Sequence, residues 1–170
     1  MSRSGSLYVL IAVLAAGLIL SSTLAAFYLL RYDQAENSAS TYLGELKASA
    51  GTSGFAASTN ILLDFGNGTQ RWYNDTRVQP GWNVYLATVV ITDGNLNDTW
   101  YPQYGEHLVN GIDGVQNTGS RSWFLFSYNS TSRWQATQLG ADELPASNGS
   151  VYAWAYCGVS ASYGPTCASP

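Results

Sequence analysis

The stretch TNILLDFGNGTQRWY, residues 59–73, determines the fold class of the domain that contains it. Thr59–Phe65 is rich in apolar side chains that favour a strand, and Thr69–Tyr73 offers a return strand of suitable length. Between them, Gly66-Asn67-Gly68 supplies residues that accept the positive φ angles of a tight hairpin turn. The sequence therefore predicts a β-hairpin at the start of a folded domain.

The residues after this hairpin predict further short strands and one ambiguous segment. Pro80-Gly81 breaks the chain, and Trp82–Ile91 is compatible with a short buried helix or a buried strand, because periodicity cannot separate the two at this length. Many short strands with one helix indicate an α+β domain with a mixed, twisted sheet. The further strands are predicted at 100–104, 106–112, 122–128 and 150–157.

An apolar stretch, LYVLIAVLAAGLILSSTLAAFYLL, precedes the domain at Leu7–Leu30 and contains no charged residue. A hydrocarbon core about 30 Å thick needs roughly 20 helical residues, so the stretch predicts a transmembrane helix. A secretory signal cleaved after Thr23-Leu24-Ala25 is the alternative. Arg3 and Arg31 flank the stretch symmetrically and leave its orientation to downstream features.

These patterns predict four regions. Residues 1–31 form the transmembrane anchor with a short cytoplasmic end, and residues 32–57 form a helical extension and a flexible, small-residue linker. Residues 58–157 form the folded domain, and residues 158–170 form a tail that a disulfide bond closes.

The two cysteines, Cys157 and Cys167, enclose nine residues, including Gly158, Gly164 and Pro165, that allow the chain to turn back. In an oxidising compartment this pair predicts a local disulfide bond, and two unbonded thiols are the alternative. Closing so short a loop contributes about 2–3 kcal/mol in the chain-entropy model. Two cysteines and one distant histidine do not complete a tetrahedral shell, so no metal site is predicted.

Five Asn-x-Ser/Thr sequons fall at predicted turns or strand ends. Glycans at these positions would solubilise a domain in which only 11% of residues are charged. Because sequons are used outside the cytoplasm, they predict a single-pass protein of the cell membrane with its C-terminal domain extracytoplasmic. The predicted N-glycosylation sites are Asn67, Asn74, Asn97, Asn129 and Asn148.

The charge balance excludes one class of partner. Beyond residue 31 the sequence contains five basic and eleven acidic residues. A surface with this excess of negative charge repels phosphate backbones, so no nucleic acid partner is predicted.

Several motifs occur in a characteristic order. They are DFGNGT at Asp64–Thr69, Pro80-Gly81, Tyr104-Gly105, Ile112-Asp113-Gly114, the aromatic strand Trp123–Asn129 and GSVYAWAY at Gly149–Tyr156. In this order they resemble the C-terminal domain of transcobalamin and its stand-alone surface relatives, over residues 58–157. Ser150 departs from the usual aspartate, and Asn129-Ser130 departs from a common Asn-Gly.

The resemblance implies a β-grasp-like layer for this domain. The predicted fold class is therefore α+β, an N-terminal transmembrane helix plus a small β-rich, β-grasp-like extracytoplasmic domain. In transcobalamin the related domain caps a corrinoid against a helical barrel, and this sequence contains no such barrel. A corrinoid is thus implied only by the resemblance, and no other cofactor is predicted.

The sequence offers no constellation for catalysis. His107 is the only histidine and follows Glu106 in a predicted strand, so the two side chains are expected on opposite faces. No Gly-x-Ser-x-Gly elbow and no phosphate loop occurs in the sequence. The chain is therefore predicted not to be an enzyme. Two acidic pairs lie among turn residues and are interpreted as solvated, with calcium binding as the alternative: Asp93 with Asp98, and Asp142 with Glu143.

Aromatic residues are abundant, with 12 Tyr and 6 Trp. Most of them are expected in the core. The remainder would line a groove for a flat ligand or sugar, or form a subunit interface. The candidate binding aromatics are Trp72, Trp100, Trp123, Trp134, Trp154 and Tyr156.

Three functions remain open at this point. The first is a non-enzymatic, membrane-anchored glycoprotein whose β-rich domain binds a protein partner as an accessory subunit of a membrane or surface assembly. The second is a pilin-like filament subunit, in which a leader cut would fall before Ser6. The third is a corrinoid-type ligand-binding module. Membrane lipid and other membrane or surface proteins are the predicted partners.

Overall fold

The computed structural model describes residues 3–52, 57–167 and 169–170. The chain divides into two compact units, Met1–Tyr42 and Leu43–Pro170. Residues 53–56, in the middle of the predicted linker, lie outside the described residues.

Helix α1 spans Arg3–Thr52. Within residues 3–52, 57–167 and 169–170, no helix combines the length and the apolar character that crossing a membrane requires. The predicted transmembrane helix, and with it that part of the predicted fold class, is therefore wrong. The hydroxyls of Ser21, Ser22 and Thr23 lie in the middle of the apolar stretch, where they donate to helix carbonyls, and the same helix continues past Arg31 into polar sequence. The hydroxyls and the polar continuation lower the apolar character of the helix.

The last turns of α1 belong to the second unit. There Leu46 packs against the hydrophobic core of the β domain, and Lys47 forms an ion pair with Asp93. Both contacts attach the end of the helix to the domain.

The second unit contains a five-stranded mixed sheet in the order β2-β1-β8-β6-β7. Strands β1 and β8 are parallel, and the other neighbours are antiparallel. The last strand thus lies between the two hairpins, and the predicted α+β class with a mixed sheet is confirmed. The strands are β1 (Ala57–Asp64), β2 (Gln70–Val78), β6 (Arg121–Asn129), β7 (Arg133–Ala136) and β8 (Val151–Gly158).

The predicted hairpin at residues 59–73 is confirmed as β1 and β2. Its turn depends on glycine, because Gly66 has φ 66° and Gly68 has φ 88°. A Cβ atom on Gly66 would also collide with the carbonyl oxygen of Tyr156. The Asp64 carboxylate accepts a hydrogen bond from the Gly66 N–H at 2.8 Å.

The ambiguous segment forms a helix, α2, at Val84–Ile91. Asn83 explains this outcome, because its side-chain oxygen accepts the Leu86 N–H at 2.9 Å and caps the first turn. Val84 and Ala87 are buried on the side of α2 that faces the core.

A second, three-stranded sheet has the order β3-β4-β5. It contains β3 (Leu96–Tyr101), β4 (Glu106–Ile112) and β5 (Val115–Gln116). Val109 and Ile112 of β4 pack in one core with α2 and with Ile61 and Leu63 of β1. The strands of this small sheet and the large sheet therefore enclose one hydrophobic interior.

The predicted disulfide bond between Cys157 and Cys167 is confirmed, with the two Cα atoms 5.8 Å apart. A β-bridge between Val159 and Pro165 closes the same loop. The C-terminal tail is thereby fixed to the end of β8.

Candidate functional site

A cleft with a volume of about 380 Å³ lies between β4, β6 and the segment 137–141. Trp123 and Trp154 form its floor and are buried. Tyr104, Leu108 and Leu139 lie at its rim and are exposed. An apolar floor, an aromatic rim and few polar groups are the usual composition of a binding site.

Asn117 connects the two strands that border the cleft. Its side-chain amide donates to the Val109 carbonyl at 2.9 Å, and its side-chain oxygen accepts the Trp123 N–H at 2.9 Å. A single side chain thus connects the main chains of β4 and β6 in place of a strand.

The other side of the cleft is held by Asp142. Its carboxylate accepts the His107 main-chain N–H at 2.8 Å, and the His107 Nδ1 atom lies 2.9 Å from the second carboxylate oxygen. Because a carboxylate only accepts, the proton lies on Nδ1. Asp142 therefore fastens β4 to the loop that follows β7, which differs from its interpretation as a solvated loop acid.

The imidazole of His107 lies between two aromatic rings. It stacks on Tyr85 with centroids 4.0 Å apart and planes 5° apart, and Trp100 lies 4.7 Å away on a tilted plane. The Tyr85 hydroxyl donates to Asp98 at 2.7 Å, so this acid is also engaged. The described lining of the cleft contains neither serine nor cysteine, and its Thr137 hydroxyl donates to the Leu139 carbonyl. This geometry gives His107 a packing role.

Glu106 is the one acidic residue among the described residues that line the cleft. The Glu106 carboxyl packs against Gly140. Burial, followed by the nearby charges of Glu143 and Asp142, raises the pKa of Glu106. The described residues that line the cleft include neither lysine nor arginine.

Three of the six candidate binding aromatics lie in the core. The indole N–H of Trp123 donates to the Val115 carbonyl and that of Trp154 donates to the Thr88 hydroxyl. Tyr156 donates to the Gln116 carbonyl. These satisfied polar groups indicate packing positions, although Trp123 and Trp154 also form the floor of the cleft.

Of the other three candidates, Trp72 and Trp100 are exposed and Trp134 is half-buried. Trp100 is 48% exposed and covers His107. Trp72 is 46% exposed and lies near Trp134, with ring centroids 6.4 Å apart. These two residues come from β2 and β7, the opposite edges of the large sheet, which five strands at about 4.8 Å spacing place roughly 19 Å apart. Three strands lie between them, and the residues in register with Trp72 along this row are Leu62, Ala153 and Phe126.

The five predicted glycosylation sites, Asn67, Asn74, Asn97, Asn129 and Asn148, are all exposed. The side-chain amide nitrogen of Asn97 donates to Gln116, whereas Asn67, Asn129 and Asn148 use their side-chain oxygens as acceptors. Their modification stays a prediction.

The first unit presents a second candidate surface, the apolar segment of α1, which we define as residues 8–30. The large side chains described there are between 53% and 75% exposed. They include runs of consecutive residues, so the apolar surface extends around the whole helix. These side chains belong to Tyr8, Val13, Leu14, Leu18, Ile19, Leu20, Leu24, Phe27, Tyr28, Leu29 and Leu30.

No protein-family model matches this chain, and a search of curated proteins finds no similar sequence. The resemblance to the C-terminal domain of transcobalamin, and the corrinoid that it implies, therefore stay predictions.

Proposed function

We propose that this chain is a non-enzymatic subunit of an extracytoplasmic protein assembly, in which the apolar segment of α1 packs against helices of partner subunits. The observation that supports this proposal is the exposure of every large side chain described between Tyr8 and Leu30. Large contiguous apolar surfaces are rarely left in water and are typical of interaction sites.

The size of the apolar segment matches a stable interface. Twenty-three helical residues extend over about 35 Å, and a helix about 10 Å in diameter then presents roughly 1,100 Å² of lateral surface. A standard protein interface buries about 800 Å² on each partner. Because an apolar surface on all sides cannot be covered by one flat partner, we expect several helices around it.

The location outside the cytoplasm rests on separate features of the second unit. The disulfide bond between Cys157 and Cys167 requires an oxidising compartment to persist. The five sequons are exposed and accessible to a glycosyltransferase in that compartment. Both features support an extracytoplasmic glycoprotein.

The composition of the cleft supports a non-enzymatic function. His107 is occupied by Asp142 and by two flanking rings, and the described lining residues supply no serine or cysteine nucleophile. A cleft of this kind is suited to holding a ligand rather than to transforming it.

The proposal is tested by purifying the chain from its own cells in mild detergent and measuring its mass by light scattering. We expect a particle that contains more than one polypeptide. Leu18→Gln and Leu24→Gln should each weaken the assembly, because burying one leucine contributes about 1.5–3 kcal/mol. Ser38→Gln, at an exposed polar position of the same helix, is the matched control. A monomer in its wild-type form, free of other protein, would refute the proposal.

A filament built from copies of this chain is the second candidate. It is favoured by the absence of a preferred face on the apolar segment, since Leu18, Ile19 and Leu20 are all exposed. Identical helices packed side by side would cover such a segment from all directions. Here the assembly should contain one polypeptide only, with a mature amino terminus at Ser6, whereas an accessory subunit should co-purify with a different chain.

A further inference from the structure

We propose that the cleft between β4 and β6 binds an extended peptide segment of a partner protein that carries a lysine or arginine side chain. All residues of this site lie in the second unit, so the inference does not depend on what covers the apolar segment of α1. It rests on two strand edges, the lining of the cleft and its charge.

The first strand edge belongs to β4. This strand pairs with β3 along its length, but with β5 only at Gly111 and Ile112. The N–H of His107 and the carbonyl of Val109 point away from β3, because they bond to the side chains of Asp142 and Asn117. In an antiparallel pair both main-chain groups of a residue face the same side, so the His107 carbonyl and the Val109 N–H face the cleft as well.

The second strand edge belongs to β6. On one side it pairs with β8 from Arg121 to Ser127, and on the other side it pairs with β7 only from Phe126. The Trp123 N–H, which bonds to Asn117, and the Leu125 carbonyl, which accepts from the Thr137 N–H, face that second side. Among the described strands, none lies beside this part of β6.

Two edges facing one cleft are suited to an inserted strand. An extended peptide that enters beside an exposed strand gains main-chain hydrogen bonds, and its alternate side chains then enter pockets. Here such side chains would meet the indole rings of Trp123 and Trp154 below and Leu108 and Leu139 at the rim. Asn117 and Asp142 already imitate strand neighbours at either end of this edge.

The charge of the cleft favours a basic side chain on the bound peptide. Glu106 lines the cleft and the described lining residues include neither lysine nor arginine, so its carboxylate favours a cation there. The exposed rings of Tyr101 and Tyr104 line the same cleft and attract a cation through their faces. A lysine or arginine of the peptide would interact with the carboxylate and with the tyrosine rings. An uncharged peptide lacks this charge complementarity.

The test uses a phage-displayed library of random linear dodecapeptides, selected against the immobilised full chain. We expect enriched sequences with a basic residue between apolar residues. Synthetic peptides of these sequences should lose at least about tenfold in affinity for the double variant Glu106→Gln, Glu143→Gln, as expected for a charged hydrogen bond. The variant Asp75→Asn, which removes an acid remote in sequence and exposed, is the matched control.

A second measurement separates strand addition from side-chain binding. The enriched peptide is methylated at single main-chain nitrogens, one position at a time. Strand addition predicts that methylation at alternate positions abolishes binding, while methylation between them leaves it within about twofold. An equal response at all positions, enrichment of sequences without a basic residue, or no enrichment would each overturn the proposal.

Discussion

The link between Asp142 and β4 is the contact on which the shape of the cleft depends. Replacing Asp142 with alanine removes both hydrogen bonds to His107, one to the main-chain N–H at 2.8 Å and one to the ring at 2.9 Å. A hydrogen bond contributes about 0.5–1.5 kcal/mol, and one to a charged group about 1.5–3 kcal/mol. Because Asp142 retains some solvent contact, we expect the lower part of that range for each bond, a total loss of about 2–3 kcal/mol.

The loss is measured by urea denaturation at pH 7, followed by tryptophan fluorescence. The variant Asp33→Ala, at an exposed position on α1, controls for the removal of a carboxylate. A double-mutant cycle with His107→Ala isolates the coupling between the two side chains. A loss below about 0.5 kcal/mol for Asp142→Ala, or equal losses for both aspartates, would refute the assignment of Asp142 as the fastening of β4.

Three further predictions concern the rest of the second unit. The pKa of Glu106 is raised by burial and by Glu143, so its protonated form is favoured in the fold. The contribution of the Glu106 carboxyl to stability is fully present below the ordinary glutamate pKa and is lost as the pH rises through the raised pKa. Glu106→Gln, which cannot ionise, should therefore become increasingly stabilising between pH 4 and pH 7. Urea titrations of both proteins across this range measure the difference. Gly66→Ala should lower the melting temperature by several degrees in calorimetry, because φ 66° and the clash with a main-chain carbonyl cost about 1–3 kcal/mol. Reducing the Cys157–Cys167 bond should lower the free energy of unfolding by about 2–3 kcal/mol, measured with and without dithiothreitol, and no change would contradict its stabilising role.

Local sequence predicted the parts of this fold that local interactions decide. The hairpin at 59–73 follows from strand-forming residues on both sides of Gly66-Asn67-Gly68, and the disulfide bond follows from a short loop that contains glycine and proline. The helix α2 depends on the Asn83 cap. Asparagine is a common N-cap residue and Asn83 directly precedes the helix, but the periodicity of the segment alone could not exclude a strand.

The transmembrane prediction failed because it depended on length and the lack of charge. The structure places residues 7–30 within a 50-residue helix that has hydroxyls at its apolar centre and polar sequence beyond Arg31. The apolar character of a stretch depends on every side chain in it, not only on the absence of charged ones.

The cleft could not have been predicted from the sequence. Its two fastenings are made by side chains common in surface loops, Asp142 with His107, which lie 35 residues apart in the chain, and Asn117 with Val109, which lie eight apart. Only the paired strands bring them together. The division of the tryptophans between core and surface likewise depends on which edge of the sheet each strand occupies, and this is a property of the topology.

Site-specific photocrosslinking in the organism's own cells tests most directly whether protein covers the apolar segment of α1. A benzophenone amino acid replaces Leu18 in one variant and Ser38, a polar position of the same helix, in another. We predict an adduct of higher mass that contains a second polypeptide at Leu18 and little or none at Ser38. Adducts to lipid alone at Leu18, or no adduct there, would contradict the account.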